Sequence, residues 1–308
     1  MRFHRSNRTH AVRLMGLVAA AAAAMTVVAG CSNDDESDGT GTDIGPISVD
    51  VAKVDDIAAG LPEKVSKAGK LVVGVNIPYS PNEFKGPGGK IIGFDVDVVN
   101  AVAKVLGVSA EYREADFAKI IPAVQAGTFD MGMSSFTDTK EREKQVDFVT
   151  YYSAGVQWAQ QSGKSVDPSN ACGKKVAVQA DTFEATDEVP AKSEACTKAG
   201  KPAIAIQKYD SQDEATNALV LGKVDAMSAD SPVTAYAIKK SKGKIEPAGE
   251  IFDSAPYGYP VAKGTPLAPA LQKAVQYLID NGQFKEIATH WGVEAGLIEK
   301  SLINGAIN

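Results

Sequence analysis

Between residues 70 and 133 the chain alternates short apolar runs with stretches whose apolar positions recur at helical spacing. Lys70-Leu-Val-Val-Gly-Val75 has the continuity and length of a buried strand. Phe94–Leu106 sets Val98, Val99, Val102 and Leu106 on one side of a 3.6-residue period, which predicts a helix with a buried face. Ala110-Glu-Tyr-Arg113 predicts a second strand, Phe117–Ala126 a second helix and Asp130–Met133 a third strand. Gly127 stands just past the second helix, where a left-handed residue closes the last turn. Strands alternating with helices in this way predict an α/β fold.

The same order returns later. Lys174-Lys-Val-Ala-Val-Gln179 matches the first apolar run. Ala218-Leu-Val-Leu-Gly-Lys-Val-Asp-Ala-Met-Ser228 matches Ala123-Val-Gln-Ala-Gly-Thr-Phe-Asp-Met-Gly-Met133, with a helix stopping at Gly and a strand starting near an Asp. The two offsets differ, so the likeness is one of topology between two lobes. Gly258–Lys263 predicts a further strand, followed by helices over Leu267–Leu278 and Phe284–Trp291. A chain that leaves the first lobe, builds the second and returns would place a ligand cleft at the carboxyl ends of both sheets.

The first residues do not belong to this pattern. MRFHRSNRTHAVR is basic, LMGLVAAAAAAMTVVA is apolar but short for a membrane span, and Val28-Ala29-Gly30-Cys31 follows. That succession predicts a signal peptide over residues 1–30. The cysteine directly after small residues resembles the lipobox of bacterial lipoproteins. It implies that Cys31 carries a lipid anchor to the cell membrane, which is stable with two or more acyl chains. The plainer alternative is a secretory signal with a chance cysteine. The acidic, Gly/Ser/Thr-rich run SNDDESDGTGTD then predicts a disordered tether over residues 31–60, with order beginning between Val54 and Leu71.

Composition removes several functions. The 308 residues are 44% hydrophobic, enough for a sizeable core in two domains or one large one. Removing residues 1–30, which hold four arginines and no acid, takes the net charge from −6 to −10. An acidic chain without a basic cluster argues against nucleic acid as a partner. Beyond the leader the one histidine is His290, so Ser-His-Asp, Cys-His and polyhistidine zinc sites lack their imidazoles, and no cofactor is implied. Cys172 and Cys196 form the even pair expected of a disulfide in an exported chain, worth about 3 kcal/mol by chain entropy; two free thiols are the alternative.

One stretch carries binding chemistry. Ser134, Ser135, Thr137 and Arg142 follow the third strand, at the mouth of the expected cleft. Asp138 and Glu141 have capping-box spacing, which predicts a helix start whose free N–H groups favour an anion. Arg142, one turn in, offers a planar fork that fits a carboxylate. The ordinary reading is a capped helix with a surface ion pair.

The runs GFDVDVVNAVAKVLG (Gly93–Gly107), DFAKIIPAVQAGTFDMGMSSFTDTKER (Asp116–Arg142) and VDFVTYY (Val146–Tyr152) resemble the polar amino-acid family of periplasmic solute-binding proteins. These are the capture subunits of ABC importers and include lysine/arginine/ornithine- and glutamine-binding proteins; the likeness spans about residues 68–295. It implies a two-lobed periplasmic-binding-protein fold (type II) with two crossover hinge segments. Lobe 1 would comprise 68–156 and 258–300, and lobe 2 would comprise 157–257. It implies that Arg142 holds the carboxylate of a free amino acid, with Thr137, the Ser135 backbone and the backbone near Thr182 assisting. Asp230 would hold the α-ammonium, and Tyr79 and Phe117 would sandwich the side chain. Asp95 is expected on the lobe 1 side of the pocket or as a helix cap.

The fit is loosest at the side-chain end. Asn76 stands where binders of basic amino acids carry an aspartate, Asp181 stands where relatives carry Gly or Ser, and Phe183 replaces a polar residue. An acidic ligand is disfavoured. The resemblance implies a monomeric, extracytoplasmic, non-enzymatic lipoprotein that delivers its ligand to an ABC permease. The competing readings are a sensory amino-acid-binding lipoprotein and a cyclohexadienyl-dehydratase-like enzyme with Asp181 or Glu184 as its acid.

Overall fold

A computed structural model describes residues 44–307. The signal segment and Cys31 lie outside the described residues. The expected tether over 31–60 is corrected from residue 44 onward, where the chain is ordered against the body. The Ile47 N–H donates to Asp97 (2.9 Å), the Val54 N–H to the Val105 carbonyl (2.9 Å), and Val49 is buried. The acidic run hides this, because the apolar residues beyond it are sparse and cover a helix instead of forming one. Two short helices follow, α1 (Asp55–Ala58) and α2 (Glu63–Ala68), the second ending at Gly69 with φ of 62°.

The body then alternates strongly. β1 (Lys70–Val75) leads through the small hairpin β2 (Phe84–Lys85) and β3 (Ile91–Ile92) into α3 (Phe94–Leu106). β4 (Ser109–Glu114), α4 (Phe117–Gln125), β5 (Met131–Met133) and the single turn α5 (Lys140–Glu143) follow. The long strand β6 (Asp147–Gln161) leaves this region. Then come β7 (Lys175–Gln179), a π-helical turn (Glu184–Glu188), α6 (Val189–Lys198), β8 (Ala205–Tyr209), α7 (Gln212–Val220), β9 (Ala226–Asp230) and α8 (Ser231–Lys240). A second long strand, β10 (Ile245–Val261), returns the chain to α9 (Leu267–Asp280) and α10 (Gln283–Trp291).

The strand order β4-β1-β5-β10-β6-β9-β7-β8 describes two lobes joined at the middle. β4, β1 and β5 are parallel at one end, and β8, β7 and β9 are parallel at the other. β6 and β10 pair antiparallel through both lobes, with register shifts between Ala248 and Gly258 that bend the ribbon. The expected boundaries at 156/157 and 257/258 fall inside these two strands. The apolar cores are separate. One packs α3, α9 and α10 with β1 and β5, including Phe94, Leu271 and Phe284; others lie at the far end around Trp158, Val176 and Leu219. Cys172 and Cys196 are joined by a disulfide that ties α6 to the segment before β7.

The matching halves of the sequence fold alike. Asp130 accepts from the Val72 N–H (2.9 Å), and its own N–H reaches the Val72 carbonyl (2.8 Å). Asp225 does the same with Lys175 in the second lobe (2.8 and 2.9 Å). In each case the aspartate after the Gly turn fixes the register of the next strand. Residues 301–307 extend the first lobe beyond the expected limit of 300. They run along β6, with the Asn304 N–H on the Phe148 carbonyl (2.9 Å) and the Gly305 N–H on Asp138 (2.8 Å).

Candidate functional site

β1 and β5 end side by side, as do β7 and β9 across from them, and the residues just past these ends face one another. Asn76, Tyr79, Phe117, Ser134, Ser135, Thr137 and Arg142 come from the first lobe. Gln179, Thr182, Phe183, Glu184 and Asp230 come from the second, and together they line one narrow cleft, closed down to a free volume of about 10 Å³. The cleft is cross-linked by side chains. The Tyr79 hydroxyl donates to Asp230, Gln179 Nε2 donates to Asn76 Oδ1 (2.8 Å), and an Arg142 nitrogen donates to the Asp181 carbonyl (2.9 Å). Each bond joins one lobe to the other.

The helix start expected from Asp138 and Glu141 is displaced by one residue, and Arg142 lies in its first turn. α5 is one turn long, and its cap is Thr139, whose hydroxyl accepts from the Arg142 N–H (3.2 Å). Asp138 is buried instead, because the Gly305 N–H claims its carboxylate (2.8 Å). The Arg142 guanidinium is aimed by its second bond, to the Thr137 carbonyl (2.8 Å), and by aromatic faces. It lies 5.7 Å from the ring centres of both Phe117 and Phe136, which stack on each other at 4.3 Å. Such contacts with aromatic faces favour a partly desolvated guanidinium.

The electrostatics are those of a buried, acid-rich cleft. Burial draws the Arg142 guanidinium below its ordinary value, while Glu184, Asp187 and Asp230 pull it back up. Burial pushes the Asp230 carboxyl well above the usual carboxylate range; the Glu184 charge adds to this, and Tyr79 and Arg142 oppose it. Glu184 is raised by burial as well, and its Oε1 finds no hydrogen-bond donor. One fixed cation therefore faces two buried carboxyl groups. A ligand with one carboxylate and one or two ammonium-type groups would complete both sides.

The sequence-derived residues divide as follows. Asn76, Tyr79, Phe117, Ser134, Ser135, Thr137, Arg142, Thr182 and Asp230 line the cleft. Tyr79 presents its hydroxyl to Asp230 as a cross-lobe latch, and Phe117 stacks on Phe136, so neither simply faces an open slot. Asp181 is exposed and contributes its carbonyl, at a left-handed φ of 62°. Asp95 caps no helix end and lies behind Ser135, out of the cleft, accepting from its N–H (3.1 Å) and its hydroxyl (2.9 Å). Gln179 joins the lining and has a sequence signal: it ends β7, the second-lobe match of β1, just past which Asn76 lines the facing wall. Phe136 has none, since only the tertiary turn brings its ring under Phe117.

Comparison with known proteins bears on this arrangement. The family model for bacterial extracellular solute-binding proteins, family 3, matches residues 71–294. The chain is 45% identical over 253 residues to the arginine-binding protein ArgT of Corynebacterium glutamicum, covering 82% of this chain and 83% of that protein. An ancestral arginine-binding protein solved with arginine superposes with a TM-score of 0.67 at 34% identity, over 72% of this chain and 98% of that one. An ancestral amino acid-binding protein described as a precursor of cyclohexadienyl dehydratase gives a TM-score of 0.65 at 32% identity, over 74% and 98%. The curated relatives are named as binding proteins, not enzymes. With its two lobes, crossing strands and cleft at the strand ends, this chain belongs to the bacterial extracellular solute-binding proteins, family 3.

Proposed function

We propose that this protein captures a free cationic amino acid, arginine foremost, outside the cytoplasm, and passes it to an ABC importer while anchored through a lipid on Cys31. The observation that carries the reading is the placement of Arg142 and Asp230 on facing walls of one cleft. A zwitterion bridges them head-first, its carboxylate on the guanidinium and its α-ammonium on the acid. Hydrogen bonds to charged groups are worth about 1.5–3 kcal/mol each, so a few of them reach the ~8 kcal/mol of micromolar binding. The excess acid of the cleft, with Glu184 beside Asp230, supports a ligand with a further positive charge, and the arginine-binding relatives support the same choice. Binding works by closure. The ligand docks on the first lobe, and the second lobe swings in on β6 and β10 to add Asp230 and the Thr182 loop.

A thermal-shift screen of the twenty amino acids with ornithine and citrulline, on protein lacking residues 1–31, tests the reading. A ligand that binds only the folded state raises the midpoint by mass action. Arginine, lysine or ornithine should give the largest shift. A largest shift from glutamate, or none from any amino acid, would overturn the reading.

A further inference from the structure

Behind the first-lobe wall two acids are buried together. Glu83 and Asp95 are both fully inaccessible, and no lysine, arginine or histidine pairs with either among the described residues. Asp95 Oδ2 accepts three bonds: from the Ser135 N–H (3.1 Å), the Ser135 hydroxyl (2.9 Å) and the Tyr151 hydroxyl (2.7 Å). Asn82 Nδ2 adds a fourth hold, on the Ser135 hydroxyl (2.7 Å). Ser135 needs holding. Its φ is 51°, a left-handed conformation that costs a non-glycine residue about 1–2 kcal/mol, and it lines the cleft.

The remaining oxygens reveal the protonation. Asp95 Oδ1 and both Glu83 oxygens are buried without a hydrogen-bond partner among the described residues, and the Asp95 charge bears directly on Glu83. Two adjacent carboxylates cannot both ionise without a cation, so they share one proton. The other titratable groups bearing on the pair are Tyr79, Tyr112, Tyr151, Tyr152 and Tyr259, all raised by burial and neutral, and Asp230 across the cleft. Burial and the Asp95 charge push Glu83 well up, and burial pushes Asp95 up to about 6.

We propose that Glu83 and Asp95 form a one-proton acid pair that positions Ser135, so that a second proton on the pair releases Ser135 and weakens ligand binding. The proposal rests on the amino-acid reading of the cleft. Ionised Asp95 can take three donors on one oxygen; neutral Asp95 accepts more weakly and must place a proton of its own. The binding-competent fraction then falls below the midpoint of the pair. Apparent Kd scales inversely with that fraction, so one pH unit below the midpoint it should be about tenfold weaker.

Calorimetric titration of arginine between pH 5 and 8 tests this, on the wild type and on Asp95→Asn. The wild type should lose about tenfold in affinity at pH 5. Asp95→Asn mimics the doubly protonated pair. It should bind about tenfold more weakly than the wild type at pH 7.5 and keep only the pH dependence that Asp230 contributes. A variant that keeps the wild-type slope, or wild-type affinity at pH 7.5, overturns the positioning role. Where Asp95→Asn fails to fold, carboxyl-carbon NMR of the wild type decides: arginine should lower the Asp95 midpoint, and an unmoved midpoint refutes the proposal. No binding of any amino acid to the wild type at pH 7.5 would be the separate failure of the proposed function.

Discussion

Arg142 spends one nitrogen on its own loop and another on the facing lobe, at the Asp181 carbonyl. Among the described residues lining the cleft, it carries the only fixed positive charge. Truncating it leaves a ligand carboxylate buried without a partner, which costs about 2–5 kcal/mol where charge pairs are desolvated. Arg142→Ala should therefore weaken arginine binding by at least about 30-fold in calorimetry, at 1.4 kcal/mol per tenfold. Circular dichroism should be unchanged, because the side chain is half-buried and belongs to a single-turn helix. Arg142→Lys should recover little, since a point charge cannot reproduce the planar fork. Unaltered affinity in either variant would remove Arg142 from the site. At this scale the sequence was informative where chemistry is local: a guanidinium behind a row of hydroxyls is legible without a fold. It was silent where the partner is distant. Asp95 reads as a first-turn acid of α3, and only the tertiary structure brings Ser135 onto it.

The elements that aim these residues are held by backbone fit. Gly93 precedes α3 with a φ of 142°, and a Cβ there would stand 2.1 Å from the Asn82 carbonyl oxygen. The nearby atoms are all backbone of Asn82 and Glu83, so nothing flexible can give way. Gly93→Ala should cost on the order of 3 kcal/mol or more in urea unfolding, from steric strain at a glycine-only conformation. It should also weaken ligand binding, because Asn82 and Glu83 support Ser135. A loss under 1 kcal/mol would contradict this. α3 was readable to its ends because an amphipathic period and two glycines mark it. β6 and β10 were not. Only the end of β10 showed, within the predicted strand Gly258–Lys263, since Pro247, Gly249, Pro256 and Pro260 interrupt its pattern and its pairing is set by β6, far away in sequence. The capping box at Asp138 was misleading for a similar reason: the carboxylate is taken by Gly305, which no local rule can anticipate.

For the molecule as a whole, buried acids set the response to pH. Burial raises Glu83, Asp95, Glu184 and Asp230, and brings Asp138 and Glu188 to about 7. The folded state therefore holds more protons than the unfolded chain, and stability falls as pH rises. For Asp138 and Glu188 the loss begins above the unfolded carboxylate values near 4 and is complete once pH passes about 7. The ligand-free Tm should be higher at pH 5.5 than at pH 8, and a lower Tm at pH 5.5 would refute the sign. Ligand affinity should move the other way, because an ionised Asp230 is what the α-ammonium requires. Stability and binding thus pull apart across the same window, as expected where a site keeps acids buried for its ligand's sake.

The grip on both ends of the zwitterion is tested most directly by trimming the ligand and leaving the protein alone. Agmatine keeps the guanidinium and chain of arginine but lacks the carboxylate that Arg142 would hold. Isothermal titration of the two at pH 7.5 should show agmatine binding at least about 100-fold more weakly, the loss of two charge-assisted hydrogen bonds. Equal affinity for agmatine and arginine would contradict the head-first grip.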